Sequence, residues 1–390
     1  MFAQRIENLT GSLVREILQV AQNPEIISFA GGLPAPEIMP LPDFSQAPTE
    51  IYQYGLSEGE PALRQIIAQQ LKGIGLACEP GQVLVTSGSQ QGIDLVAKLF
   101  VEPGTPVLVE APTYLAATQV FRLFGAEFIE CALDPQGISP EQLEQLIAEK
   151  RPAFAYLIPT FQNPTGFCYS EARRRDIAAI LDEHGIPLVE DEPYRELNFT
   201  DIKHRPIAAQ MKQAPWIYLG SFSKTTCPGL RIGYLACSPQ LMPYFSRLKQ
   251  ATDLHSNRIA QWWLADFISN GAYLPHLQRL REYYAERCEA MEAALQRYFG
   301  TMASWHRPEG GLFFWLRLQQ AIDTRMLLPE AIQMKVAFMP GEAFYANPVA
   351  KCGAMRLNFS RSTPEEIERG IKILARLVEQ ASETLAELAD

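Results

Sequence analysis

Ser221-Phe222-Ser223-Lys224, with Arg231 seven residues past the lysine, sets an amine beside two hydroxyls and near a guanidinium. Hydroxyls and a guanidinium suit a phosphate. A lysine amine can condense with an aldehyde as a Schiff base. Pyridoxal 5'-phosphate (PLP) carries both groups, and a protein that uses it must orient the ring and tune its electronics. A lysine beside serines also fits a solvated loop charge, so the rest of the chain has to decide. It supplies a separate candidate for each remaining polar group of that cofactor.

Asp191, in Val189-Glu190-Asp191-Glu192-Pro193-Tyr194, closes the apolar run Ile186-Pro187-Leu188-Val189. Such a run reads as a buried strand, and ligands of open α/β sheets bind at strand carboxyl ends. A carboxylate there needs a cation, and a protonated pyridine nitrogen is one. The other reading is a strand-ending Asp that caps the turn at Pro193. Asn163, in Asn163-Pro164-Thr165-Gly166, follows the run Phe154 to Ile158. It is either plain turn chemistry or a donor to the cofactor's phenolic oxygen, which Tyr194 could also serve.

Thr86-Ser87-Gly88-Ser89-Gln90-Gln91-Gly92 follows Val83-Leu84-Val85 and precedes an amphipathic run to Phe100. Free N–H groups at that helix start suit a phosphate; the bland alternative makes Ser89 an N-cap. Tyr114, after Val107-Leu108-Val109, could stack on an aromatic ring or be a core tyrosine. In Met355-Arg356-Leu357-Asn358-Phe359-Ser360 the apolar alternation predicts a strand with one face buried and Arg356 on the other. Its guanidinium matches a carboxylate, either a substrate α-carboxylate or one of the chain's 44 acidic residues.

The elements that must position these groups alternate. From Val83 to Cys237 short apolar runs are separated by helix-like segments, among them Glu141 to Lys150 and Glu171 to His184. The expectation is an α/β fold with a mostly parallel sheet flanked by helices. A long helix from about Leu277 to Tyr298 follows. Beyond it come strand-like Leu312 to Leu316, helix-like Met326 to Gln333, the Arg356 strand and a last helix from Pro364 to Leu388. These make a smaller α+β domain. The Pro-rich stretch from Leu33 to Pro48 reads as an irregular crossing segment.

The ordered motifs resemble a fold type I PLP-dependent aminotransferase of the class I/II group. They are Tyr54-Gly55-Leu56-Ser57-Glu58-Gly59, Ser87 to Gly92, Asn163 to Gly166, Asp191 to Tyr194, Ser221 to Lys224 with Arg231-Ile232-Gly233, and Arg356 to Phe359. Ser28-Phe29-Ala30-Gly31-Gly32-Leu33-Pro34 is similar to the 2-aminoadipate and kynurenine aminotransferase branch, which in turn resembles the effector domain of PLP-binding transcription regulators. The resemblance implies roles position by position. Lys224 would hold PLP covalently and shuttle the substrate's α-proton. Asp191 would pair with the ring nitrogen, and Asn163 and Tyr194 with the phenolic oxygen. Tyr114 would stack on the ring. Ser89, Gln90, Ser221, Ser223 and Arg231 would hold the phosphate, and Tyr54 the phosphate of the neighbouring subunit in a homodimer with composite sites. Arg356 would clamp the α-carboxylate beside Gly32. Arg15, on a short N-terminal amphipathic segment, would meet the distal carboxylate of an acidic substrate or simply be exposed. The implied division is an N-terminal arm with part of the small domain at 1–40, a large domain at 41–280 and a small domain at 281–390.

The 390 residues suffice for two domains, and 47% hydrophobic with 20% charged is ordinary globular usage. A net charge of −10 disfavours a nucleic-acid partner. Seven scattered cysteines without CxxC spacing fit neither a disulfide framework nor a zinc site, and five histidines show no ligand spacing. No metal is expected. No apolar run reaches membrane length and no signal-peptide core is evident, so a cytoplasmic enzyme is expected. The expected reaction moves the amino group of an amino acid (2-aminoadipate, glutamate, aromatic or branched-chain) to a 2-oxo acid such as 2-oxoglutarate. A lyase or decarboxylase using the same cofactor is the alternative, and a PLP-sensing regulatory module is another.

Overall fold

The computed structural model describes residues 2–8, 17, 23–200 and 203–387. Its strands are β1 Ile27–Ser28, β2 Val83–Thr86, β3 Pro106–Ala111, β4 Glu127–Asp134, β5 Gly137–Ile138, β6 Phe154–Leu157, β7 Leu188–Asp191, β8 Trp216–Ser221, β9 Gly233–Cys237, β10 Ala303–Ser304, β11 Phe313–Leu318, β12 Val336–Ala337, β13 Met339–Pro340 and β14 Ala354–Asn358. The helices are α1 Pro61–Gly73, α2 Ser89–Phe100, α3 Leu115–Leu123, α4 Pro140–Lys150, α5 Glu171–His184, α6 Met242–Asp253, α7 Arg258–Ser269, α8 Tyr273–Tyr298, α9 Thr324–Gln333 and α10 Pro364–Glu387.

The apolar runs between residues 83 and 237 pair into one eight-stranded sheet of order β2-β9-β8-β7-β6-β3-β4-β5. β8, β7, β6, β3 and β4 are mutually parallel. β9 runs against both β8 and β2, so β2 points the same way as the parallel set. Successive residues bury on opposite faces, as the period of a strand requires. Leu108 packs on one side of the sheet, Val107 and Val109 on the other. Helices on both faces make this a doubly covered α/β layer.

Local chemistry sets the boundaries. Ser139 and Ser170 accept the Gln142 and Arg173 N–H groups and start α4 and α5. Gly185, at φ 65°, closes α5 in the left-handed region. β7 begins two residues later than the apolar run because Pro187 has no N–H to give the ladder. Asp191 is the last residue of the strand.

A second sheet, β10-β11-β14-β13, is antiparallel, and β1 pairs in parallel with β12. The early segment thus joins the C-terminal elements, sharing one apolar cluster with α8, β11, β14 and α10. One expectation fails here. β14 is buried on both faces, with Arg356 6% and Asn358 0% exposed. Residues 29–33 cover its polar side: Asn358 N–H donates to the Phe29 carbonyl and Ser360 Oγ to that of Leu33.

Candidate active site

The carboxyl ends of β2, β8, β7, β6 and β3 lie along one edge of the sheet, which is where ligands of open α/β sheets sit. They carry Ser87–Ser89, Ser221, Asp191, Asn163 and Tyr114 respectively. Because β9 is antiparallel, the residues before it reach the same edge, and these include Arg231.

Asp191 is 2% exposed. Its Oδ2 accepts the Tyr156 hydroxyl at 2.7 Å, and its buried Oδ1 has no hydrogen-bond partner. Burial pushes its carboxyl up to about 7, against the opposing Tyr156 bond. A buried carboxylate one donor short is costly, and a cation at Oδ1 would relieve it.

The phosphate candidates gather at the start of α2. Gly88, with φ 79°, is the N-cap, and no side chain caps this end. Ser89 is therefore the first helical residue rather than the cap. The Arg231 guanidinium donates to the Ser87 carbonyl at 3.2 Å and lies where a Gly88 Cβ would stand. Ser221 Oγ accepts the Ser223 N–H at 3.2 Å. Gln90 sits between the Tyr114 hydroxyl and the Ala116 carbonyl, each at 3.5 Å. Burial raises the Tyr114 phenol to about 12, so it stays a neutral ring.

Lys224 Nζ donates to the Gly32 carbonyl at 2.7 Å. Burial, with Arg356 and Arg231 nearby, lowers its amine to about 8. No carboxylate pairs with it among the described residues. Gly32 is needed for space: a Cβ would stand 2.8 Å from the Phe313 ring.

Arg356 lies over the Phe313 and Phe344 rings, 4.2 and 4.9 Å from their centroids. Its Nη1 donates to Asn163 Oδ1 at 2.8 Å, its Nη2 to the Ala30 carbonyl at 2.5 Å, and its buried Nε has no partner. Among the described residues it has no ion pair, so none of the described acidic residues is the internal partner that the sequence left open. With Oδ1 taken by Arg356, the Asn163 amide nitrogen is turned to the Tyr194 hydroxyl.

The sequence profile of the aminotransferase class I and II family matches residues 33–374. The chain belongs to that family. The aromatic-amino-acid aminotransferase 1 of Thermococcus litoralis is 36% identical over 393 residues, covering 97% of this chain and 94% of its own. The crystal structure of the Pyrococcus horikoshii kynurenine aminotransferase in complex with PMP matches with a TM-score of 0.92 at 35% identity, covering 98% of this chain and 97% of that one. The α-aminoadipate aminotransferase of Thermus thermophilus, solved with N-(5'-phosphopyridoxyl)-L-leucine, gives 0.88 at 34% identity, covering 97% of each. The protein is a fold type I PLP-dependent amino-acid aminotransferase. The residues present fit that cofactor: the orphaned Asp191 oxygen suits a ring N–H, and the uncapped α2 start with Arg231 and two serines makes an anion site.

One expected site residue of the aminotransferase lies at the surface. Tyr54 is 76% exposed, and its ring lies 5.8 Å from that of His255. Arg15 lies outside the described residues. Among the described residues no His, Cys, Asp and Glu cluster could hold a metal, and no helix is long and apolar enough to cross a membrane.

Several supporting residues escaped the sequence reading. Tyr156 is a hydroxyl inside the apolar run of β6, and its register opposite Val189 brings it to Asp191. Glu110, buried on β3, accepts the Ile158 N–H, the Gln162 amide and the Tyr169 hydroxyl, and so fixes the turn that carries Asn163. Burial pushes its carboxyl up to about 7. An acidic residue inside an apolar strand was the available signal. Glu192, between Arg195 and Arg174 on the far face of β7, was signalled by the Glu190-Asp191-Glu192 run.

Proposed function

We propose that this aminotransferase moves the amino group of an α-amino acid with an acidic, aromatic or branched-chain side chain to a 2-oxo acid, 2-oxoglutarate first among them. The observation that carries the reading is Arg356, a buried guanidinium with an unpartnered Nε and no ion pair among the described residues. A substrate α-carboxylate completes it bidentately. Relatives named for aromatic amino acids, kynurenine and α-aminoadipate support the range.

PLP, when bound, supplies an aldehyde for the amino group and a ring that accepts the electron pair left at the α-carbon. Lys224 anchors it covalently and then carries the proton at the α-carbon, and an amine near 8 suits a proton carrier at neutral pH. Asp191 keeps the ring nitrogen protonated. Asn163 and Tyr194 donate to the phenolic oxygen, and Tyr114 lies against the ring. Ser89, Gln90, Ser221, Ser223 and Arg231 hold the phosphate. Arg356 holds the substrate carboxylate, with Gly32 leaving it room.

The enzyme acts as a homodimer, with Tyr54 reaching the partner's phosphate. Leu33, Leu41, Phe44, Tyr52, Tyr54 and Leu56 are exposed together in one segment, an apolar surface that a second subunit would cover. The proposed division stays at residues 40 and 280, and the free cysteines fit a cytoplasmic location. Arg15 meets the distal carboxylate of acidic substrates. Arg15→Ala then lowers kcat/KM for glutamate by roughly 10- to 150-fold and leaves leucine within a few-fold; equal losses on both would sink that role.

Mixing the PLP-loaded protein with glutamate tests the main reading. Transamination yields 2-oxoglutarate and the pyridoxamine form of the cofactor, reversed by a second 2-oxo acid. Release of carbon dioxide or ammonia would make it a decarboxylase or lyase, and no turnover across a panel of amino donors would favour a sensing module.

A further inference from the structure

Lys249, on α6, is 0% exposed. Its Nζ lies 2.6 and 2.7 Å from the two Asp253 oxygens, 2.8 Å from Gln91 Oε1 and 2.9 Å from Ser256 Oγ. Gln91 Oε1 also accepts the Ser87 N–H at 2.8 Å, and Gln91 Nε2 donates to Asp253 Oδ2 at 2.8 Å. The Ser87 hydroxyl lies 3.2 Å from Ser256 Oγ and 3.4 Å from Asp253 Oδ2. Its carbonyl accepts Arg231. Every polar group of Ser87 is thus tied down, and all the ties but Arg231 lead back to the Lys249 cluster.

The far end of the cluster is anchored too. Ser256 Oγ donates to the Val85 carbonyl at 3.3 Å, and the Ser256 carbonyl accepts the Gln261 amide at 3.0 Å. Between Asp253 and Ser256 the chain makes a three-residue turn: His255 N–H reaches the Asp253 carbonyl at 2.8 Å, with Leu254 at φ 63° and ψ −63°. That conformation is rare and strained for a residue with a side chain, and it persists only where its surroundings hold it. Lys249 is buried, but the Asp253 side chain keeps 30% of its surface exposed, so the pair is partly screened by solvent and adds little net stability, and its presence asks for another role. The group it holds is the backbone immediately before Gly88, whose conformation aims the first N–H groups of α2.

We propose that Lys249 and Asp253 are positioning residues for the phosphate end of the cofactor, acting through Gln91 on the Ser87 turn. Neither touches the phosphate. They fix the turn whose backbone amides and neighbouring Arg231 bind it, and so set how strongly the phosphate contributes to cofactor affinity. This rests on the assignment of the α2 start as the phosphate site.

The test compares apoprotein titrated with PLP and with pyridoxal, which lacks the phosphate, for wild type and Lys249→Met, with melting curves of both apoproteins. The expected result is a PLP affinity weakened about 10- to 100-fold, the scale seen when a supporting partner of a bound group is lost. Pyridoxal affinity should change less than about threefold by the same reasoning. Equal weakening of both ligands, or of neither, overturns the proposal. If Lys249→Met does not fold, Gln91→Met decides, since it removes the acceptor of the Ser87 N–H and leaves the Lys249–Asp253 pair; it should show the same selectivity. A wild-type protein that binds PLP and pyridoxal alike would overturn the phosphate assignment itself, and this proposal with it, and the wild-type titration alone reveals that case.

Discussion

On β7 and just past its end, Asp191 and Glu192 are consecutive, both buried, and point to opposite faces of the sheet. Glu192 meets Arg195, Arg174, the Thr160 hydroxyl and the Tyr218 hydroxyl. Burial alone would push its carboxyl up, but the two guanidinium groups hold it well below the usual range. Asp191 meets a single hydroxyl, and burial drives it up to about 7. A fully paired carboxylate belongs to the fold. One left a donor short has room for a cation that arrives later, at some expense to the stability of the chain alone.

The largest effect should come from removing the Lys224 amine. Lys224→Ala is expected to lower transamination by at least ~10⁴-fold, since covalent anchor and proton carrier vanish together. Borohydride should fix PLP to Lys224 in the parent protein, and an adduct mapped to another lysine would refute the assignment.

Asp191→Asn should lower kcat by at least ~10²-fold, the loss expected for one preorganised electrostatic partner. It should also stabilise the empty protein. The folded-state pKa of Asp191 is above its unfolded value, so its contribution to stability declines as pH rises from about 4 to about 7. Removing the charge should therefore raise the apoprotein Tm by about 5 °C at pH 8 and by less at pH 5. A lower Tm at pH 8 would break the contrast with Glu192.

Lys224 gives a pH signature. Its amine reacts only when neutral, and its pKa is lowered to about 8. Stopped-flow capture of PLP by apoprotein should speed up about tenfold between pH 7 and pH 9 and then level off. A plateau displaced above pH 10 would mean the amine is not held as described.

Glu192→Gln should be the mildest on chemistry and the harshest on stability. Turnover of the folded fraction should stay within about threefold, while stability falls by about 3–5 kcal/mol at pH 7 because two guanidinium groups lose their buried partner. The folded pKa of Glu192 is depressed, so its contribution is full above pH 4.5 and fades as pH falls below it. Denaturant midpoints for both proteins at pH 7 and pH 4 would show the gap closing.

The same contrast explains what could be read from the chain. Asp191 and Ser221 close short apolar runs, and Asn163, Ser89 and Lys224 lie within five residues past one; a strand followed by a turn is a local pattern. The α/β alternation and the last three helices were legible for the same reason. The pairing of Arg356 with Asn163 and Ala30 joins residues from three distant stretches, and no local pattern records it. Burial of β14 on both faces was missed because its cover, residues 29–33, comes from the other end of the chain. The Lys249–Gln91–Ser87 connection is likewise invisible until α6 packs beside α2.

Lys224 and Arg231 both lie in the connection 222–232 between β8 and β9, whose ladder runs from Ile217 opposite Cys237 to Ser221 opposite Gly233. On the proposed assignment, the residues for the aldehyde end and the phosphate end of the cofactor thus belong to one hairpin. β9 is an interior strand with β2 on its other side, so freeing that connection means parting two ladders at once. Fraying at the margins of the sheet leaves both grips closed. Amide exchange along β8 and β9 then needs one rare opening, and the spacing between the two grips is as durable as the centre of the sheet.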